Sequence, residues 1–316
     1  MKIFNFKSGV DFSTKVKWRM KRQRNPLFVT LQDKYEVKKF AEERGVKTAP
    51  LLYVTETPEL IPFDSLPANY MIKANHGCGW NIICLESDLY IFSNGRHFVD
   101  NYGRLVKTKS TERHKISRDE TVKICKSWLQ QTHITKEWAY QEIHPKIVIE
   151  ELLKTDEDQI PDDCRLYTFD GKVKAISVGS PIYRRYNRNV FFTPDWTRIE
   201  LTKYKEKLPD EIPSKPHNLE EMIRTAENLS CNLDFVRVDL YCAQQGIVLG
   251  EMTIYPESGS RLSPSGCPDF NKWLGNQWEI GAVDSLLALY WGIPDQIKES
   301  LHGQRKKWIE KYAQST

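Results

Sequence analysis

The chain has 316 residues, 40% of them apolar, and a formal net charge of +4. That length and apolar content are those of a globular protein with a substantial core, enough for two or three subdomains. The small net charge, with no aromatic-rich basic repeat and no zinc-finger spacing, argues against a nucleic-acid partner.

Seven cysteines are scattered along the chain without a CxxC pair or any metal-ligand spacing, which predicts a reducing compartment. No apolar run approaches 18 residues, and the opening "MKIFNFKSGV" is too short and mixed for a signal peptide. The expectation is a cytoplasmic protein with no transmembrane segment, acting before export if its product is exported.

In chain order, the first feature is "STKVKWRMKRQR", Ser13 to Arg24, which contains no acid. It suits a solvated basic face, or a surface for an acidic polymer or an anionic membrane. "DKYEVKKFAEERG" follows, with Asp33 and Glu36 at capping-box spacing and Gly45 past the helix end. The same spacing at Ser117/Glu120 and Asn218/Glu221 predicts two more helix starts. Between them lie strand-like runs: "PLLYV" at Pro50, "YMIKA" at Tyr70, "WNIICL" at Trp80 and "KIVIEELL" at Lys146. "RLYTFDGKVKAISV" at Arg165 predicts a hairpin turning on Asp170-Gly171. Strand-rich segments broken by single helices imply α+β layers, since a doubly wound parallel sheet needs more regular alternation. The segment "PDQIKESLHGQRKKWIEKYA" from Pro294 carries Ile297, Leu301, Trp308 and Tyr312 at amphipathic spacing, which favours a capping helix over an interaction surface.

The chemistry concentrates in "FVRVDLYCAQQGIVLGEMTIYPESG", Phe235 to Gly259. Two alternating runs joined by Gln-Gln-Gly predict a hairpin with Arg237 and Asp239 on one face of the first strand, Glu251 and Thr253 on one face of the second. With Gln244 to Gly246 as a three-residue loop, Ala243 pairs with Ile247, Asp239 lies opposite Glu251, and Arg237 faces Thr253. Like charges opposite each other are destabilising. Either the ribbon is half exposed and Arg237 neutralises both acids, or a hard divalent cation such as Mg2+ sits there, held by one or two carboxylates and by substrate phosphates.

A triphosphate site also needs lysines and a glycine loop. "YMIKANHGCGWNII" places Lys73 near a strand end before Gly77-Cys78-Gly79, a pattern that a tight turn with an incidental lysine shares. It is not a Walker A loop, because GxxxxGK[ST] is absent and a strand follows. Glu150 and Glu151 close the run "KIVIEELL", as in a hinge lining an adenine edge or in a strand ending at a polar turn.

In this order the segments resemble the ATP-grasp superfamily and are similar in particular to the TupA-like ATP-grasp family, associated with teichuronopeptide and surface-polysaccharide biosynthesis. The resemblance runs from about Asn25 to Ile280, on "DKYEVKKFAEERGV", "IKANHGCGWNII", "IVIEELL", "DDCRLYTFDGKVKAISV", "NLEEMIRTAENLS", "FVRVDLY" and "GEMTIYPESG". It implies an α+β ATP-grasp fold in which two lobes grip ATP. Lys34 and Lys73 are then phosphate lysines, and Gly77, Cys78 and Gly79 form the loop over the phosphates. Glu150, Glu151 and Leu152 line the adenine, and Asp163 meets the ribose. Asp163-x-Arg165 is similar to the D-x-R of glutamate-adding members. Asp239 and Glu251 match the magnesium ligands, with Thr253 where many members have Asn, and Arg237 steadies the transferred phosphoryl group. Cys78 stands where a small hydroxyl residue is common. Arg184, Arg185 and Arg188 of "SPIYRRYNRN", with Ser258, are substrate candidates, the arginines through bidentate bonds to a carboxylate or phosphate.

The expected division is a basic segment 1–32, a reduced form of the usual N-terminal domain; a first lobe 33–149; a second lobe 150–285; and a helical segment 286–316. The resemblance implies an ATP- and Mg2+-dependent carboxylate–amine ligase working through an acyl phosphate. Its substrates would be a uronic acid, acidic peptide or glycan precursor and an amine or amino acid. An ATP-grasp phosphotransferase and a non-catalytic polyanion-binding protein are the alternatives, and a homo-oligomer is compatible with each.

Overall fold

The computed structural model describes residues 10–92, 98–99, 105–106, 113–132, 136–179, 190–199, 212–259 and 268–280. The chain forms two compact units: Met1–Gln23, Leu201–Glu206 and Tyr255–Thr316 in one, Arg24–Glu200 and Lys207–Ile254 in the other. Among the described residues no helix is long and apolar enough to cross a membrane. The expected helix after Pro294 and the arginines Arg184, Arg185 and Arg188 lie outside the described residues.

The smaller unit begins with α1 (Phe12–Arg22), capped by Asp11, whose carboxylate accepts from the Thr14 amide. This helix holds most of the basic run, of which only part forms the exposed basic face expected. Lys15 and Arg19 are buried. The Lys15 ammonium donates to the backbone carbonyls of Gly275 and Trp278, and the Arg19 guanidinium lies 4.2 Å from the centre of the Trp278 ring. Burial outweighs the nearby Glu279 carboxylate and lowers the Lys15 pKa to about 8. Alternation of apolar and basic residues at helical spacing puts Phe12, Val16 and Trp18 inside with these two cations, while Lys17, Lys21 and Arg22 stay exposed.

The larger unit carries α2 (Leu27–Gln32), α3 (Glu36–Glu42), β1 (Lys47–Thr48) and β2 (Leu51–Thr55). It continues with β3 (Tyr70–Ala74), β4 (Asn81–Leu85), β5 (Asp88–Phe92), β6 (Phe98–Val99), β7 (Leu105–Val106) and β8 (Arg113–Ile116). Next come α4 (Arg118–Leu129), α5 (Trp138–Gln141), β9 (Ile147–Glu151), β10 (Asp163–Phe169), β11 (Lys172–Gly179) and β12 (Val190–Phe192). The unit closes with α6 (Leu219–Leu229), β13 (Phe235–Ala243) and β14 (Gly246–Thr253). A last helix, α7 (Pro268–Gln277), belongs to the smaller unit.

Two six-stranded sheets result, ordered β2-β9-β3-β4-β5-β8 and β1-β14-β13-β10-β11-β12. Only β1 against β14 is parallel within them. The antiparallel pattern follows from the tight turns that join neighbours, such as Asp170-Gly171, both at positive φ, between β10 and β11. The α+β reading holds.

A well-formed helix packs on each sheet, α4 on the first and α6 on the second. Ser117 and Glu120 make the complete capping box that opens α4. That helix buries Ile124, Cys125 and Trp128 in a core with Ile72, Ile82 and Ile149, and Trp128 stacks on Trp80 at 6.2 Å. Burying side chains of this size contributes roughly 1.5–3 kcal/mol apiece. In α6, Leu219, Met222, Ala226 and Leu229 form the buried stripe, which packs on β10, β11 and β13. Its predicted cap is corrected: Asn218 makes no side-chain cap, because its backbone (φ −108°, ψ 26°) is not extended and its amide donates to the Cys242 thiol at 3.1 Å. Asp33 does serve the start of α3, accepting from the Tyr35 and Glu36 amides at 2.8 and 3.3 Å.

Candidate functional site

The hairpin of β13 and β14 turns on two residues, Gln244-Gln245, rather than the expected three, and Ala243 pairs with Gly246 instead of Ile247. A register shift between Asp239 and Leu240 inserts Gly250 as an extra residue on β14 and restores the pairing beyond it. Asp239 therefore stands opposite Glu251 and Arg237 opposite Thr253, as the alternation predicts.

The polar residues of β13 are buried, Asp239 at 2% and Arg237 at 9% accessible, while the Glu251 side chain opposite them on β14 is 34% accessible. The Arg237 guanidinium donates to both Asp239 oxygens at 2.7 and 2.5 Å, to Glu251 at 2.9 Å and to Thr253 Oγ1 at 3.2 Å. Burial raises the Asp239 pKa well above the usual carboxylate range; Arg237 opposes this, while Asp163 and Glu251 add to it. For Glu251, burial is outweighed first by Lys34 and then by Arg237, which hold it at about 2.

Strand alternation brings β10 into the same site. Arg165 lies opposite Asp239, and Asp163 opposite Tyr241. Asp163 Oδ2 accepts from Arg165 Nε at 2.7 Å, whereas its Oδ1 is buried without a hydrogen-bond partner. An acceptor left in that state calls for a donor from a ligand or water.

The other sheet supplies the lysines. Lys73, at the end of β3, ion-pairs with Glu150 of β9, and Lys38 of α3 reaches the second oxygen of the same carboxylate at 2.8 Å. Burial pushes the Glu150 pKa up, but Lys73 and then Lys38 outweigh it and hold it at about 2. Lys34 donates to the Gly77 carbonyl at 2.5 Å, in the loop between β3 and β4. Gly77 is required there by packing, since a Cβ would lie 2.4 Å from the Trp80 ring. Cys78 is exposed, and Gly79 has φ +74°.

Lys34, Lys73, Gly79, Glu150 to Leu152, Asp163, Asp239 and Glu251 all line one cleft. Gly77, Cys78, Arg165, Arg237 and Thr253 lie beside these residues through the loop and strand pairings just described. Ser258 lies in the turn Pro256–Gly259 of the smaller unit, at φ 51°. Sequence reasoning missed Met71, Asn81, Tyr241 and Lys38. Met71 and Tyr241 lie two positions from Lys73 and Asp239, hence on the same strand faces, and Lys38 follows Lys34 by four residues. Those spacings were available signals.

Among the described residues no group of three or more His, Cys, Asp or Glu is placed to hold a metal ion. Two opposed carboxylates and a hydroxyl nevertheless fit magnesium, which takes hard oxygen ligands and fills its remaining positions with water and phosphate. For such an ion to sit between Asp239 and Glu251, the Arg237 fork has to withdraw from one of them.

The sequence model of the family described as TupA-like ATPgrasp matches residues 14–279. The chain belongs to the TupA-like ATP-grasp family. No curated protein matches this ATP-grasp chain. Among solved structures, it matches the ADP complex of N5-carboxyaminoimidazole ribonucleotide synthetase at 11% identity, covering 76% of this chain and 50% of that one, with TM-score 0.41. It also matches D-alanine–D-alanine ligase from Bacillus anthracis at 18% identity, covering 81% and 68%, with TM-score 0.40. The ligase from Helicobacter pylori gives 14% identity, 80% and 60% coverage and TM-score 0.40. The chain spans about half the length of the synthetases it matches.

Proposed function

We propose that this TupA-like ATP-grasp protein is an ATP- and magnesium-dependent carboxylate–amine ligase. The observation that supports it is one cleft lined by Lys34, by Lys73, Gly79 and the Glu150–Leu152 segment from one sheet, and by Asp163, Asp239 and Glu251 from the other. When bound, ATP would supply a phosphoryl group to a substrate carboxylate, giving an acyl phosphate and ADP, and an amine would then displace phosphate to form the amide.

The protein's part is positioning and charge. Lys34 and Lys73 meet phosphate oxygens, and the Gly77-Cys78-Gly79 backbone closes over them. Main-chain atoms of Glu150 to Leu152 face adenine, and Glu151 and the unpaired oxygen of Asp163 take ribose hydroxyls. Arg165 orients Asp163. Asp239, Glu251 and Thr253 hold the cation, and Arg237, once released, steadies the transferred group.

The substrates are a uronic acid, acidic peptide or glycan precursor of a cell-surface polysaccharide and an amino acid, handled in the cytoplasm. Arg184, Arg185, Arg188 and Ser258 are the proposed substrate contacts. The proposed divisions are 1–32, 33–149, 150–285 and 286–316. The test is ADP and phosphate release against panels of uronic acids, nucleotide sugars and amino acids, singly and in pairs. Turnover that needs an acid and an amine together supports the ligase; turnover with a hydroxyl acceptor alone points instead to a phosphotransferase.

A further inference from the structure

Two lysines share one buried carboxylate beside the cleft, and only one of them faces the cleft. Glu150 is 5% accessible. Lys73 contacts it from inside the cleft, and Glu150 is the only hydrogen-bond or ion-pair partner of the Lys73 ammonium among the described residues. Lys38 contacts it from the other side, at 2.8 Å, does not line the cleft, and is fixed by a second bond to the Ala49 carbonyl, also 2.8 Å. Their side chains differ accordingly, with Lys73 22% and Lys38 11% accessible.

In this arrangement Lys73 is not free for phosphate. A ligand that draws its ammonium away leaves the carboxylate behind, and an unpaired buried charge is far costlier than a paired one. We infer that Lys38 is a positioning residue for nucleotide binding: it stays on Glu150 as the permanent counter-ion, so that Lys73 can transfer from Glu150 to the phosphates. The inference rests on the reading of the cleft as the nucleotide site and deepens it. Lys38 touches neither nucleotide nor substrate and acts through Glu150 alone. Arginine at position 38 keeps the charge; methionine keeps most of the stem and removes it.

The test is calorimetric titration of the full chain with ATP and with ADP, each with magnesium, for wild type, Lys38→Met, Lys38→Arg, Glu150→Gln and the double variant Lys38→Met/Glu150→Gln, with a melting curve for each. Lys38→Met is expected to bind at least tenfold more weakly, and Lys38→Arg to recover most of the loss. Removing the carboxylate should abolish the need for Lys38, so that in the Glu150→Gln background Lys38→Met changes affinity by no more than a few-fold. A purely structural role for Lys38 predicts lower melting temperatures without this non-additivity. Wild-type affinity in Lys38→Met, or a loss on adding Lys38→Met to Glu150→Gln as large as its loss in wild type, overturns the inference while leaving the nucleotide site standing. Should Lys38→Met not fold alone, a double variant that binds at least tenfold more weakly than Glu150→Gln overturns it. A wild-type protein that binds neither nucleotide removes the reading of the cleft and this inference with it.

Discussion

Tyr241 packs its ring so closely on Gly250 that a Cβ at position 250 would lie 2.4 Å from Cε2 of the tyrosine. Gly250 is also the extra residue that brings Glu251 back opposite Asp239 after the two-residue turn. The Gly250→Ala variant should lose about 1–3 kcal/mol of stability through overpacking. It should also bind magnesium nucleotide more weakly, because the displaced strand carries Glu251. Urea denaturation and a nucleotide titration on the same preparation check both; unchanged stability would mean that Tyr241 swings aside.

Arg237 holds Asp239 and Glu251 together. Replacing it with methionine leaves a buried carboxylate without its partner, at a cost of about 3–5 kcal/mol. Magnesium should then raise the melting temperature of Arg237→Met more than that of wild type, since the cation can take the vacated place between the two acids. Melting curves with and without the ion measure this, and equal shifts in both proteins would count against a cation site there.

The Glu150 carboxyl sits at about 2 against an ordinary 4.5. An acid whose pKa is depressed on folding contributes stability that is complete above the unfolded value and is lost as pH falls through the folded one. The stability advantage of wild type over Glu150→Gln should therefore shrink by about 3 kcal/mol between pH 5 and pH 2. Urea midpoints across that range give the slope.

The capping box of α4 makes a simpler case. Ser117→Ala removes the bond to the Glu120 amide and should cost about 1 kcal/mol, with nucleotide affinity unchanged because the helix end lies outside the cleft.

Much of this was legible in the chain because it rests on local period. Alternation set the faces of Arg237, Asp239, Glu251 and Thr253, and turn chemistry placed the Asp170-Gly171 hairpin. What escaped was non-local. The length of the Gln244-Gln245 turn and the bulge at Gly250 offset each other, so the far register came out right although the near register was wrong. Asn218 fits a cap in sequence, but Cys242, distant in the chain, competes for its side chain. The burial of Lys15 and Arg19 depends on carbonyls and a ring near residue 278, which no window around the basic run contains. Lys38 joins the site only through Glu150, more than a hundred residues away.

The measurement that bears most directly on the central claim is magnesium-dependent ATP binding by wild type and by the double variant Asp239→Ala/Glu251→Ala, followed by calorimetry. Binding that requires magnesium in wild type and falls by two orders of magnitude or more in a folded double variant is the predicted result. Equal binding by both proteins, or none by either, would contradict it.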